Sequence, residues 1–133
     1  MISTKGRYAL RVMLDLAQNS DGSYIPLKDI AERQEISKKY LEIIVKEMVT
    51  GGLIAGVSGK GGGYKLVRKP EKYTVGEILE LMEGTLSTVV CLADRNYDCP
   101  RRDRCETLPM WEEYDRMVHD FFFKKNLKDL LNK

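Results

Sequence analysis

The 133 residues fit one domain plus an appendage, and 43% hydrophobic content is enough for a real core. No run of ~18 apolar residues is present to span a bilayer, and no apolar stretch follows the first residues to act as a secretory signal, so a cytoplasmic protein with reduced cysteines is expected. The net charge of +2 hides an asymmetry, because residues 1–69 carry twelve Lys/Arg against seven Asp/Glu while residues 70–133 carry ten against thirteen. A phosphate-binding surface, if there is one, belongs to the first half.

Ser3 or Thr4 can cap a first helix, whose stripe Ala9, Val12, Met13, Leu16 and Ala17 recurs at helical spacing and is widened by Leu10 and Leu14. Asn19 to Ser23 is a loop by composition. Pro26 opens a second helix that turns its Leu27, Ile30 and Ala31 inward. Gln34-Glu35-Ile36 forms a turn, and Ser37 caps a third helix with a core stripe of Leu41, Ile44, Val45, Met48 and Val49. Gly51-Gly52 ends it. The opposite face carries Lys38, Lys39, Tyr40, Glu42 and Lys46. In a helix-turn-helix, side chains in the first turns of the second helix reach base edges. Lysines there suit guanine or phosphate, a tyrosine hydroxyl suits phosphate, and a glutamate accepts from cytosine N4.

Leu53 to Val67 then reads as two apolar runs around a glycine-rich tip holding Ser58, Lys60 and Gly61. A glycine-rich turn is often no more than a turn. Following helix-turn-helix, however, the hairpin makes a winged helix, whose bare backbone and single lysine suit contact with phosphate. It is not a nucleotide loop, because Tyr64 stands where the dinucleotide pattern needs glycine and no Gly-Lys-Ser/Thr opens a helix.

Lys69-Pro70 ends the second strand, Thr74-x-x-Glu77 forms a capping box for a fourth helix with Ile78, Leu81 and Met82 facing in, and Gly84 closes it. Pro109 opens the last long helix, with Trp111, Tyr114, Val118, Phe121 and Phe122 at helical spacing, and Asn126 caps a terminal turn. A lone winged helix offers that aromatic stripe little cover, so a symmetric partner is expected. Its two recognition helices would stand roughly 34 Å or a multiple apart.

Between these helices Cys91, Cys99 and Cys105 are spaced C-x7-C-x5-C in a loop rich in Asp and Arg, Arg95 and Arg101 to Arg104 included. Structural cysteines favour apolar stripes, whereas nearby arginines favour thiolate and therefore metal ligation or redox chemistry. Thiolates suit iron–sulfur clusters and zinc, but there is no CxxC knuckle and no fourth Cys or nearby His for a zinc tetrahedron. No Ser/His/Asp set, paired-carboxylate cleft or nucleotide motif indicates an enzyme.

The fold class indicated is mainly α with a small β-hairpin. Residues 1–84 form a winged helix-turn-helix domain, 85–108 a cysteine-bearing sensor loop, and 109–133 a dimerisation helix with a C-terminal turn. Ser3 to Leu10, Ile36 to Glu42, Gly59 to Tyr64 and Cys105 to Trp111 together resemble the Rrf-two family of winged-helix regulators, which includes IscR, NsrR and CymR. The resemblance implies a homodimeric transcription factor that binds double-stranded operator DNA through Tyr40, Glu42 and the wing. In its cluster-bearing branch three such cysteines hold an iron–sulfur cluster, here 2Fe–2S ahead of 4Fe–4S. Leu108 stands where IscR has its histidine ligand, Arg7 where NsrR has an aspartate, and Ser58 where IscR has a wing arginine. The alternative reading is a cluster-free regulator controlled by thiol oxidation or by a partner protein.

Overall fold

The computed structural model describes residues 1–94 and 96–131, so Arg95 and residues 132–133 lie outside the described residues. Its helices are α1 (Thr4–Gln18), α2 (Leu27–Gln34), α3 (Lys38–Thr50), α4 (Val75–Glu83), α5 (Val90–Ala93), α6 (Leu108–Phe123) and α7 (Leu127–Leu131). Strands β1 (Ile54–Val57) and β2 (Gly63–Leu66) follow α3, and single 3-10 turns lie at Pro70–Lys72 and Arg102–Arg104. This is a helix-turn-helix with a wing.

Side-chain caps fix where the helices begin. Gly6 N–H donates to Ser3 Oγ at 3.0 Å and Tyr40 N–H to Ser37 Oγ at 3.1 Å. Thr74 and Glu77 cap each other reciprocally, as do Asn126 and Asp129. Between α2 and α3, Glu35 takes a left-handed conformation (φ 56°) that turns the chain sharply.

The core gathers on α1, where Ala9, Val12 and Met13 are fully buried against Leu41, Ile44 and Met48 of α3 and Ile78 of α4. Asp15, on the same helix, is the one buried charge among the described residues. It accepts from Arg33 Nε and Nη2 at 3.0 and 2.8 Å and from Gln34 Nε2 at 2.9 Å, tying α1 to α2. A buried carboxylate is tolerated only with such partners.

β1 and β2 pair antiparallel, with Ile54 opposite Leu66 and Val57 opposite Gly63. Ile25 extends the hairpin on its other edge, exchanging two 2.8 Å backbone hydrogen bonds with Tyr64. Gly63 has to be glycine. Its φ is 149°, and a Cβ there would lie 2.2 Å from the Ile25 carbonyl oxygen. Tyr73 then fastens the wing from inside. Its fully buried side chain donates to the Leu53 carbonyl at 2.7 Å and accepts from the amides of Val67 and Arg68 at 3.0 and 3.1 Å.

Three elements depart from the sequence pattern. Val49 and Leu81, expected in helix cores, are 38% and 37% exposed although Met48 and Met82 beside them are buried, because Val49 faces the groove toward the wing and Leu81 lies over Gly51 at the surface. The terminal turn, grouped by sequence with the long helix in 109–133, packs into the winged-helix core. Leu127 is fully buried, its N–H donates to the Tyr73 carbonyl at 3.1 Å, and Val75 N–H donates to the Lys125 carbonyl at 2.8 Å. Burying one leucine contributes roughly 2 kcal/mol, which explains why this short turn docks.

Tyr73→Phe keeps the ring and removes the hydroxyl that bridges both ends of the wing. The expected cost is roughly 2 kcal/mol in urea unfolding, with faster amide exchange at Val67 and Arg68. Unchanged stability and exchange would show that the wing holds itself.

Candidate nucleic-acid interface and cysteine centre

The middle and C-terminal turns of α3 and the wing border one open groove, lined by Glu42, Lys46 and Val49 of the helix and by Gly56, Val57, Ser58 and Tyr64 of the hairpin. Glu42 and Ser58, far apart in sequence, therefore share one concave surface. Lys38, Lys39 and Lys46 are exposed along the helix, and Lys60 and Gly61 are exposed at the hairpin tip. Gly59 and Gly61 turn that tip with positive φ, closed by a 3.0 Å hydrogen bond from Gly62 N–H to the Gly59 carbonyl.

Tyr40 differs from the rest of the expected contact set. It is half-buried, with its ring 5.7 Å from that of Tyr8, whose other neighbour is the Arg11 guanidinium at 5.1 Å. The aromatic body holds α3 against α1. Ile43, outside the core stripe and also not among the expected contact residues, is 53% exposed on α3. Lys5 of α1, which pairs with Glu47 of α3 at 3.0 Å, was also missed. Only tertiary packing brings the start of α1 beside α3.

The three cysteines line a single small apolar hollow together with Arg102 and Leu108. The loop is shaped by α5, by the 3-10 turn, and by Arg102 Nη2, which donates to the Cys91 carbonyl at 2.9 Å. Cys105 Sγ lies 3.4 Å from Thr107 Oγ1. That hydrogen bond, helped by the Arg101 cation, holds the Cys105 thiol below its ordinary range. The thiols share the hollow without standing as a closed ligand set, since no group of three or more His, Cys, Asp or Glu among the described residues is gathered for a metal. Their chemistry fits three positions of an iron–sulfur group, with guanidinium alongside to offset its charge. Leu108 offers the hollow only hydrocarbon, and Asp98 and Glu106 are exposed outside it.

The aromatic helix α6 has no buried residue in the isolated chain. Its most exposed apolar side chains are Met110, Tyr114, Met117 and Phe121, at spacings of four, three and four. His119 stacks on Phe123 with ring centroids 4.2 Å apart and is itself exposed. The start of the cysteine loop is tied to α6 by Thr88, whose N–H and hydroxyl both lie 3.3 Å from Asp115 Oδ1. Among the described residues no helix is long and apolar enough to cross a membrane.

Residues 2–133 match the Rrf2 family, described as an iron-dependent transcriptional regulator, and the chain belongs to that family. It is 35% identical over 131 residues to the HTH-type transcriptional regulator IscR of Pectobacterium atrosepticum, covering 98% of this chain and 79% of that one. Among solved structures it is similar to CymR, the global cysteine regulator of B. subtilis, with TM-score 0.77 and 33% identity over 98% of this chain and 95% of that one. T. potens IscR has the same TM-score and identity, over 99% and 86% of the two chains. The chain is thus a transcriptional regulator and not an enzyme.

In the metal-free protein, the Thr107 hydrogen bond should lower the pH midpoint for alkylation of Cys105 by iodoacetamide. Thr107→Val is expected to move that midpoint upward, since losing the donor disfavours thiolate. Peptide mass spectrometry across pH measures it, and an unmoved midpoint would remove Thr107 from the account.

Proposed function

We propose that this Rrf2-family chain acts as a homodimer that binds double-stranded operator DNA through α3 and the wing, under control of an iron–sulfur cluster held by Cys91, Cys99 and Cys105. The observation that carries the DNA-binding reading is the shared groove with Glu42 and Ser58 on its walls and exposed lysines around it. Lys38, Lys39 and Lys60 neutralise phosphates and fix the register of the protein on the duplex. Glu42, on the wing side of α3, accepts a hydrogen bond from cytosine N4. At the tip, Gly59, Gly61 and Gly62 let the backbone on either side of Lys60 approach phosphate closely.

Homodimerisation is supported by the apolar row on α6, which a second copy of the same helix would cover. The family's description as iron-dependent and the three thiols around one hollow support the cluster. When bound, the cluster supplies a labile centre that responds to iron–sulfur status, nitric oxide or redox state. Arg102 holds the Cys91 segment, and Thr88 with Asp115 passes the order of the loop to α6. The cluster-free reading, with direct thiol oxidation, is favoured by the Thr107 hydroxyl 3.4 Å from Cys105 Sγ, a contact that stabilises thiolate.

Anaerobic purification decides between these. The cluster reading predicts visible absorbance with matching iron and sulfide, lost when any of the three cysteines becomes Ala, together with altered operator binding. A colourless protein whose DNA affinity ignores all three changes would refute it. For DNA, Glu42→Ala should relax base preference at one position, whereas Lys60→Ala should weaken all sequences and reduce the salt slope by about one. Met117→Glu should yield monomers in sedimentation, and an intact dimer would place the interface elsewhere.

A further inference from the structure

Ile43 is an anomaly on an otherwise polar face. Lys39, Ile43, Lys46 and Thr50 recur at spacings of four, three and four, on the line directly opposite the buried Leu41, Ile44, Val45 and Met48, and all four are exposed. The β-branched side chain of Ile43 is 53% exposed between two lysines, on the rim of an open hollow that Leu81 and Met82 also line. It cannot hydrogen-bond a base edge. The major groove offers one apolar feature, the C5-methyl group of thymine.

We propose that Ile43 reads a thymine methyl group and is a specificity-determining residue of α3. This rests on the DNA-binding reading above. An apolar protein partner fits less well, because Lys39 and Lys46 on the same line would have to leave phosphate for it to dock. Glu42 and Ile43 are adjacent on a helix that rises ~1.5 Å per residue. Their side chains point ~100° apart around the helix axis, so the thymine should lie within a few base pairs of the cytosine that Glu42 reads and not at that same pair.

The test begins by selecting duplexes from a random pool with the full-length wild-type protein. Each thymine in the enriched site is then replaced by deoxyuridine, which removes only the methyl group, and binding is followed by fluorescence anisotropy at fixed salt. One thymine per half-site should lose roughly fourfold in wild-type affinity on replacement, the factor expected for burying a methyl-sized group. Ile43→Ala should bind the thymine and deoxyuridine duplexes equally. It removes an exposed side chain, so its fold can be confirmed by circular dichroism, and its salt slope should match wild type because no phosphate contact is lost. Indifference of wild type to every replacement, or discrimination that survives in Ile43→Ala, would overturn the assignment. If no duplex is enriched at all, the DNA-binding reading falls, and this one with it.

Discussion

The wing points where it does because one buried hydroxyl holds both of its ends. Tyr73 is fully buried, and its Oη bonds to the carbonyl before β1 and to two amides after β2. A two-stranded hairpin is marginal by itself in water. Here it is anchored inside by Tyr73 and along its edge by Ile25. Without those anchors the groove between α3 and the hairpin would have no fixed width, and Glu42 and Ser58 would not share a surface.

The same residue is a junction for the C-terminal half. Its carbonyl accepts from Leu127, and the neighbouring Val75 N–H reaches the Lys125 carbonyl, so α7 docks where the wing is fastened. Phe123, at the end of α6, sits over Gly76, where an added Cβ would lie 2.2 Å from its ring. The long helix therefore leaves the domain from the joint that sets the wing. Its middle is linked to the start of the cysteine loop through Asp115 and Thr88. A change in that loop has a short, packed route to the spacing of the two proposed reading surfaces, which is the physical requirement for coupling a sensor to DNA.

Much of this was legible in the chain. Hydroxyl residues and prolines at helix starts, glycines at the wing and stripes at helical spacing fixed the element order, because each is a local rule acting on neighbours in sequence. Non-local features were not legible. The burial of Asp15 depends on Arg33 and Gln34 arriving from α2, and the docking of Leu127 depends on a surface more than fifty residues away in sequence. Periodicity placed Val49 and Leu81 inside because it cannot tell how wide a stripe the neighbouring elements cover, and both lie at the margin of a stripe whose Met48 and Met82 are buried. For the cysteines, spacing and charged neighbours brought the three residues together, while their common hollow and the link from Thr88 to α6 came only from the folded loop.

The central claim is that α3 and the wing form one DNA-facing surface. Hydrogen–deuterium exchange of the full chain, with and without an enriched duplex, tests it most directly. Slowed exchange should concentrate at the tip amides of residues 59–62 and in the first turns of α3, leaving the buried α1 amides unchanged. Protection confined to α6 or the cysteine loop, with the wing tip unaffected, would contradict the account.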